Sequence, residues 1–355
     1  MIEFKDKLNS WYAVNKRTLP WRKTKDPYKI WLSEVILQQT RVAQGLPYYE
    51  KFVKTYPTVF DLAEAEEQEV LKLWQGLGYY SRARNLHYSA KIVANQYKGI
   101  FPLNYKELKK LKGVGDYTAS AIASICYNEP VAVLDGNVFR VLSRVLGLDI
   151  PINTAEGKKI FKEKAEELLD RKKPGTYNQA IMEFGAMQCK PKTPNCLACP
   201  VKNKCVAFQQ GKEKELPIKL KKLKIKNRRL NYLVFLSENN TTLIKQRTGK
   251  GIWRNLYDFP LIETKTILQK KDIIDHPDLV SLKLKPKTIT IFNPEPIKHQ
   301  LTHQRLQINF WIIKTNIFPE KFQEVDLQTI NQTKLESFPV PIVIENFLKS
   351  YGFKL

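Results

Sequence analysis

Four cysteines stand close together, Cys189, Cys196, Cys199 and Cys205, spaced C-x6-C-x2-C-x5-C. Thiolates this near in sequence suit one four-coordinate centre, either an all-thiolate zinc site or an iron–sulfur cluster. Disulfides fit poorly in a basic protein of a reducing compartment. Lysines and asparagines interleave the four, so they are not an apolar core. The fifth, Cys126, lies in the apolar run AIASICY and reads as core. A second pattern is LKKLKGVGDYTASAIASICY. Gly113, Val114 and Gly115 allow a tight turn and a close approach, and a helix follows. Ala119, Ile122, Ala123 and Cys126 form one stripe of that helix. The free N–H groups at its start suit a DNA phosphate, which makes the segment a helix–hairpin–helix signature. A third pattern, LDGNV, carries Asp135 and Asn137.

The elements that must position these residues follow from composition and periodicity. At 355 residues the chain is long enough for two domains with real cores. Lys and Arg number 59 against 35 Asp and Glu, a net charge of +24. Such an excess implies a polyanionic partner, nucleic acid or an anionic membrane surface. No stretch has the uninterrupted apolar length of a membrane span, so none is expected, and nucleic acid rather than a membrane is the expected partner. The start, MIEFKDKLNSWYAVNKR, has no apolar core of a secretory signal. The expected location is the cytoplasm, at the nucleoid of a prokaryote. Residues 1–207 read as mainly α, through SEVILQQTRVAQ, EQEVLKLWQGLG, SAKIVANQY and EGKKIFKEKAEELLD, with the cysteine motif at 189–205. Residues 208–228 read as a basic linker. Residues 229–355 read as α+β. LNYLVFLSENNTTLIKQR predicts two strands joined by a turn, LKPKTITIF and RLQINFWIIKTN predict further strands, and VIENFLKSYGF predicts a closing helix.

LKGVGDYTA, LDGNV and the cysteine spacing together resemble the endonuclease III superfamily of base-excision glycosylases. PWR, WLSEVILQQTRV, GLGYYSRARNL and GIWRNLYDFP narrow the resemblance to MutY-type adenine DNA glycosylases. The resemblance implies a two-lobed helix–hairpin–helix domain, a 4Fe–4S cluster on the four cysteines, and a Nudix-like C-terminal domain. It implies a monomer acting on double-stranded DNA, removing adenine opposite 8-oxoguanine or guanine. Endonuclease III-type lyases carry a lysine where this hairpin has Tyr117. A tyrosine cannot form the Schiff base, so a monofunctional glycosylase is expected. A noncatalytic DNA-binding protein is the rival class; Glu34 and Asp135 both being present argues against it.

Hydrolysis of an N-glycosidic bond needs an acid for the leaving base and an anion for the cationic sugar, as in glycoside hydrolases. Glu34 is the expected acid. Asp26-Pro27 caps its helix, and Ile30, Trp31 and Leu37 surround it, so burial should hold its pKa up. Asp135 is the expected anion, with Asn137 as its hydrogen-bond partner and Tyr117 beside the same sugar by family resemblance. A base in a duplex must be flipped out. The resemblance gives Gln39 and Tyr79 as the residues that fill or prise the stack. Arg82 and Arg84 follow as phosphate contacts, and Leu19, Trp21, Arg22 and Gln179 as the lining of the adenine pocket. In the tail, ETKTILQKKDII stands where a Nudix hydrolase carries its acidic magnesium stretch, so the domain reads rather than hydrolyses. The family's Phe-Ser-His reading loop corresponds here to Leu301-Thr302-His303: hydroxyl and imidazole are kept and the aromatic ring is lost.

Overall fold

The computed structural model describes residues 2–220, 225–318 and 326–353. Contacts divide the chain into two compact units, Met1–Glu64 with Asn85–Lys221, and Ala65–Arg84 with Lys222–Leu355.

The first unit is built from helices. Ile2–Asn15, Asp116–Tyr127, Gly136–Leu146, Ala155–Leu168 and Pro174–Met187 share a core of Leu8, Val141, Phe161, Tyr177 and Phe184, all nearly inaccessible. The expected Asp26 cap is present: its side chain accepts from the Tyr28 N–H at 2.9 Å, and Pro27 starts the helix Pro27–Leu37. Ile30, Trp31, Leu32 and Ile36 are buried, and Trp31 meets Phe101 edge to face. The helix expected over SEVILQQTRVAQ is in fact two, ending at Leu37 and restarting at Val42. Between them Gln39 takes a left-handed φ of 57° and is exposed. Apolar periodicity does not register this break, because the almost wholly buried first helix runs straight into the apolar face of an amphipathic second one.

The hairpin connects the short helix Tyr105–Leu108 to Asp116–Tyr127. Gly113 has φ +83°, and a Cβ there would lie 2.7 Å from Asn85 Cβ, so only glycine fits. Val114 is buried, as a packing residue between helices should be. Gly115 caps the second helix in an extended conformation and faces open space.

Residues of the charged linker pack on this unit as far as the described chain runs. Ile152 N–H donates to the Ile218 carbonyl at 3.1 Å, and Asn153 exchanges two bonds with Leu220. Lys221–Lys224, also part of the expected linker, lie outside the described residues.

The second unit is α+β. Its strands are β1 (Lys226–Ser237), β2 (Thr241–Gln246), β3 (Tyr257–Asp258), β4 (Leu261–Thr264), β5 (Pro286–Ile291), β6 (Ile297–Gln300), β7 (Gln304–Thr315) and β8 (Gln328–Asn331). One sheet runs β4-β1-β7-β5, with β6 also on β7; a second runs β3-β2-β8. β1 and β7 pair in parallel over their full length, from Lys226 with Gln304 to Ser237 with Thr315. The two strands read from LNYLVFLSENNTTLIKQR both form, but they belong to different sheets. The closing helix, Ile342–Tyr351, covers one sheet face, where Phe347 stacks on Phe310 at 4.0 Å. Leu233, Phe235, Ile289, Trp311 and Ile313 form the core on the other face, with Ile273 and Leu279 from two short helices. The segment 65–84 belongs to this unit: Gln75 donates to Glu345 at 2.8 Å and accepts from the Val340 N–H at 3.1 Å.

Candidate active site and reading surface

The first unit encloses a cavity of about 890 Å³. Glu34, Asp135, Asn137, Tyr117, Leu19, Trp21, Arg22 and Gln179 all line it, eight of the residues singled out above. They arrive from five segments: the short turn Pro20–Arg22, the helix of Glu34, the hairpin helix, the turn at Asp135, and Pro174–Met187.

Glu34 is 8% exposed and sits between Ile30 and Leu37 on its helix. Burial pushes its carboxyl up to about 7; a hydrogen bond from Tyr117 opposes this, and the charge of Asp135 adds to it. A carboxyl there holds a proton near neutrality. Burial, then the charges of Glu34 and Asp135, holds the Tyr117 hydroxyl well above its ordinary pKa; it lies 3.3 Å from the Met182 sulfur.

Asp135 has a different environment. It is the N-cap of Gly136–Leu146, accepting from the N–H groups of Asn137 at 2.9 Å and Val138 at 2.7 Å. Its second oxygen accepts from Asn137 Nδ2 at 2.8 Å. Burial leaves its pKa above the ordinary aspartate value, and these three donors and the nearby Arg140 limit that rise. Three donors and a helix N-terminus favour its anion. Glu34 has a single donor, so of the two it is the one left protonated. The dipeptide Asp-Gly of LDGNV thus makes more than a turn: the cap holds the carboxylate in the cavity.

Two residues not singled out in the sequence complete this wall. Glu183 is 1% exposed and takes bidentate hydrogen bonds from both Arg17, at 2.6 and 2.8 Å, and Arg22, at 2.8 and 2.9 Å. Burial alone would raise its pKa, but the two guanidiniums hold it near 2. The signal was a lone acid within the apolar helical run AIMEFGAM. Arg140 joins two regions. Its Nη2 donates to Asn137 Oδ1 at 2.9 Å and to the Gly185 carbonyl at 2.7 Å, and its Nε to the Cys189 carbonyl at 2.7 Å. Gly185 permits this closeness, since a Cβ there would lie 2.7 Å from Asn137 Cβ.

The four cysteines ring one small cavity, with Arg144, Phe184 and Glu213 in the same lining. Arg144 Nη1 donates to Cys189 Sγ at 3.4 Å, and Cys205 Sγ lies 3.4 Å from the Arg144 carbonyl oxygen. Burial, then the neighbouring thiols, push Cys199 up to about 11. Among the described residues no three such side chains are grouped as for a single metal ion. The donor set is all sulfur, with an arginine beside it, which fits a centre that demands thiolates.

The remaining candidates lie in the second unit. Tyr79 is 53% exposed at a left-handed φ of 49°, between Gly78 and the helix Ser81–Asn95. Its hydroxyl is 2.6 Å from Thr302 Oγ1, so the expected wedge and the expected reading loop touch. Thr302 and His303 are exposed at the β6–β7 turn, closed by the Leu301 N–H to the Gln304 carbonyl at 2.8 Å. Arg82 is buried: its guanidinium lies over Trp74 and Tyr79, at 5.0 and 5.7 Å, and donates to the Gly78 carbonyl at 3.2 Å. It supports the Tyr79 turn. Arg84 donates to the Arg254 carbonyl at 2.8 Å.

Comparison with known proteins fits this arrangement. A profile of the HhH-GPD superfamily of base excision DNA repair proteins matches residues 32–171, and a NUDIX domain profile matches residues 231–350. An adenine DNA glycosylase of Buchnera aphidicola (subspecies Baizongia pistaciae) is 34% identical over 345 residues, 96% of this chain and 95% of the relative. A human adenine DNA glycosylase is 43% identical over 224 residues, 60% of this chain and 41% of the relative. Among solved structures, a thermostable thymine-DNA glycosylase is 30% identical with a TM-score of 0.54, covering 58% of this chain and 95% of its own. Endonuclease III in a non-covalent DNA complex shares the fold, at 20% identity, with a TM-score of 0.51 over 59% of this chain and 94% of its own. The chain therefore belongs to the adenine DNA glycosylase family, within the HhH-GPD superfamily of base excision DNA repair proteins.

Proposed function

We propose that this protein excises adenine paired with 8-oxoguanine, and more slowly adenine paired with guanine, from duplex DNA, as a monomer working at the nucleoid in the cytoplasm. The observation that carries the reading is one cavity holding two buried carboxyls with unequal hydrogen bonding, three donors on Asp135 against one on Glu34. Glu34 keeps its proton through burial; Asp135 keeps its charge through three donors. In this reading residues 1–207 carry out the excision, 208–228 connect, and 229–355 read the opposite base.

The flipped adenine enters the cavity that Trp21, Arg22 and Gln179 line. Glu34 gives its proton to a ring nitrogen of the base as the bond to the sugar C1′ breaks, and the bonding pair leaves with the base. Asp135 faces the cationic sugar, held in place by Asn137. Water then adds to C1′ and its proton returns to the Glu34 carboxylate. Tyr117 hydrogen-bonds to Glu34 and cannot form an imine, so the strand stays intact. Arg17 and Arg22, clamped by Glu183, fix the floor of the base pocket.

Cys189, Cys196, Cys199 and Cys205 would hold a 4Fe–4S cluster, which when bound would cross-link the basic loop around them. Gln39 and Tyr79, each exposed at a left-handed φ, would be the residues that fill or prise the stack. Thr302 and His303 would bond the lesion's added oxygen and its protonated N7.

The test is a panel of duplexes with A opposite 8-oxoguanine, A opposite G, A opposite T, and T opposite G, each followed by alkali. Excision should be fastest on the first, slower on the second and absent from the last two. Thymine excision, or equal rates on A opposite T, would sink the reading.

A further inference from the structure

The face of the larger sheet next to the reading turn is unusually basic and uncovered. Register fixes which side chains share that face. Arg229 of β1 pairs with Gln307 of β7, and Gln307 pairs with Lys298 of β6. One step toward the turn, Asn227 pairs with Arg305, and Arg305 with Gln300. Paired residues point to the same side of a sheet, as do residues two apart on one strand. Arg229, Lys298 and Arg305 therefore alternate with Asn227, Gln300 and Gln307, three cations among three amides.

Farther along the same face, Leu233 and Trp311 lie beneath the short helices of residues 270–280. Among the described residues nothing comparable covers the basic end: Lys298 and Arg305 are exposed and Arg229 is half-buried. These residues line a groove of about 1020 Å³. Its only acidic lining residue is Glu263, which pairs with Leu230 and so faces the other side. There it is held bidentate by Arg228, at 2.5 and 2.7 Å. Among the described residues no carboxylate pairs with Arg229, Lys298 or Arg305; Gln300 accepts from Arg305 Nε at 3.1 Å. Three cations without counter-charges, interleaved with amide donors, suit phosphate oxygens.

The groove starts at the reading turn itself. The Lys226 N–H donates to the His303 carbonyl at 3.0 Å, tying the first residue of β1 to the tip. Across β1, β7 and β6 the charges spread over about 9–10 Å, from two inter-strand spacings. A DNA strand carries one phosphate per roughly 3.4 Å of rise, so about two consecutive phosphates fall within that span.

We propose that this groove binds the phosphate backbone of the DNA strand whose base the Leu301-Thr302-His303 turn inspects. It is a second phosphate-binding site, separate from the helix–hairpin–helix, and it holds DNA whether or not a lesion is present. The proposal takes its partner from the repair reading above, but a measurement on undamaged duplex tests it even if no base is excised.

The experiment is equilibrium binding of the full chain to undamaged duplex and to duplex with A opposite 8-oxoguanine, from about 50 to 200 mM salt. Each lost phosphate contact flattens the plot of log affinity against log salt by about 0.9. Lys298→Gln with Arg305→Gln should flatten it by about 1.8 on both duplexes and weaken both by the same factor. Lys298→Gln alone, at an exposed position of β6, should give about half that and guards against misfolding of the pair. Lys334→Gln, an exposed cation elsewhere in the unit, should match the wild-type slope. An unchanged slope in the folded variants would overturn the proposal. So would a loss confined to the lesion duplex, which would assign these residues to the reading turn rather than to the backbone.

Discussion

The pH dependence of excision should follow Glu34. An ordinary glutamate, at 4.5, would be protonated in only about 0.3% of molecules at pH 7. Carried up to about 7 by burial, Glu34 is protonated in about half of them, a gain of roughly 150-fold in the active acid form. The single-turnover rate should therefore be nearly level below pH 6 and fall about tenfold between pH 6 and pH 8. Glu34→Gln should bind duplex normally and lose about 10²–10⁴-fold in rate, because an amide has no proton to give. The same burial has a cost in stability. The folded protein binds this proton more tightly than the unfolded chain does, so the stabilisation is complete below about 4.5 and lost as pH rises through about 7. That loss is of order 3 kcal/mol. Glu34→Gln should consequently melt higher than wild type at pH 8 and alike near pH 4. Stopped excision at saturating enzyme across pH 5.5–8.5, with melting curves of both proteins, reads all three effects. A flat wild-type profile, or a variant that excises at close to the wild-type rate, would refute the assignment of Glu34.

Asp135→Asn should bind DNA and excise at least about 10²-fold more slowly, since the sugar cation loses its counter-charge; near-normal single-turnover excision would remove Asp135 from the chemistry. Thr302→Ala with His303→Ala should narrow the preference for A opposite 8-oxoguanine over A opposite G by about 5- to 150-fold, the worth of 1–3 kcal/mol of hydrogen bonding. Parallel rate measurements on the two duplexes check this, and equal slowing of both would assign the turn to general binding. Purified protein should be brown and carry iron at the four cysteines, with Cys199→Ser depleted of it on elemental analysis. Stoichiometric zinc in colourless protein would contradict the cluster.

Local signals reached most of the excision cavity. Asp26-Pro27 marked the helix that carries Glu34, and its apolar neighbours foretold the burial that sets its acidity. Gly113 was legible because its φ of +83° and its closeness to Asn85 leave no room for a side chain. Asp135 was harder, since Asp-Gly usually marks a turn; its three donors appear only when Asn137 folds back. What stayed hidden depends on contacts distant in sequence. Glu183 is explained by Arg17 and Arg22, more than 150 residues earlier, and nothing in AIMEFGAM announces them. The placement of β1 beside β7, rather than in a hairpin with β2, is decided by pairing across about seventy residues of chain. The touch between Tyr79 and Thr302 spans 223 positions, so no local pattern could join wedge to reader. The break at Gln39 escaped for the opposite reason: it is short, and lies between two helices that each look regular.

The central claim is that a protonated Glu34 and an ionised Asp135 release a purine without breaking the strand. The measurement that meets it directly is the identity of the products from a duplex with A opposite 8-oxoguanine, without alkali. Mass analysis should find free adenine, one per site, with both strands full length and one carrying an abasic sugar that alkali then cleaves. A strand cut before alkali, a released base other than adenine, or intact adenine in the duplex after prolonged incubation with active, DNA-bound protein would contradict the account.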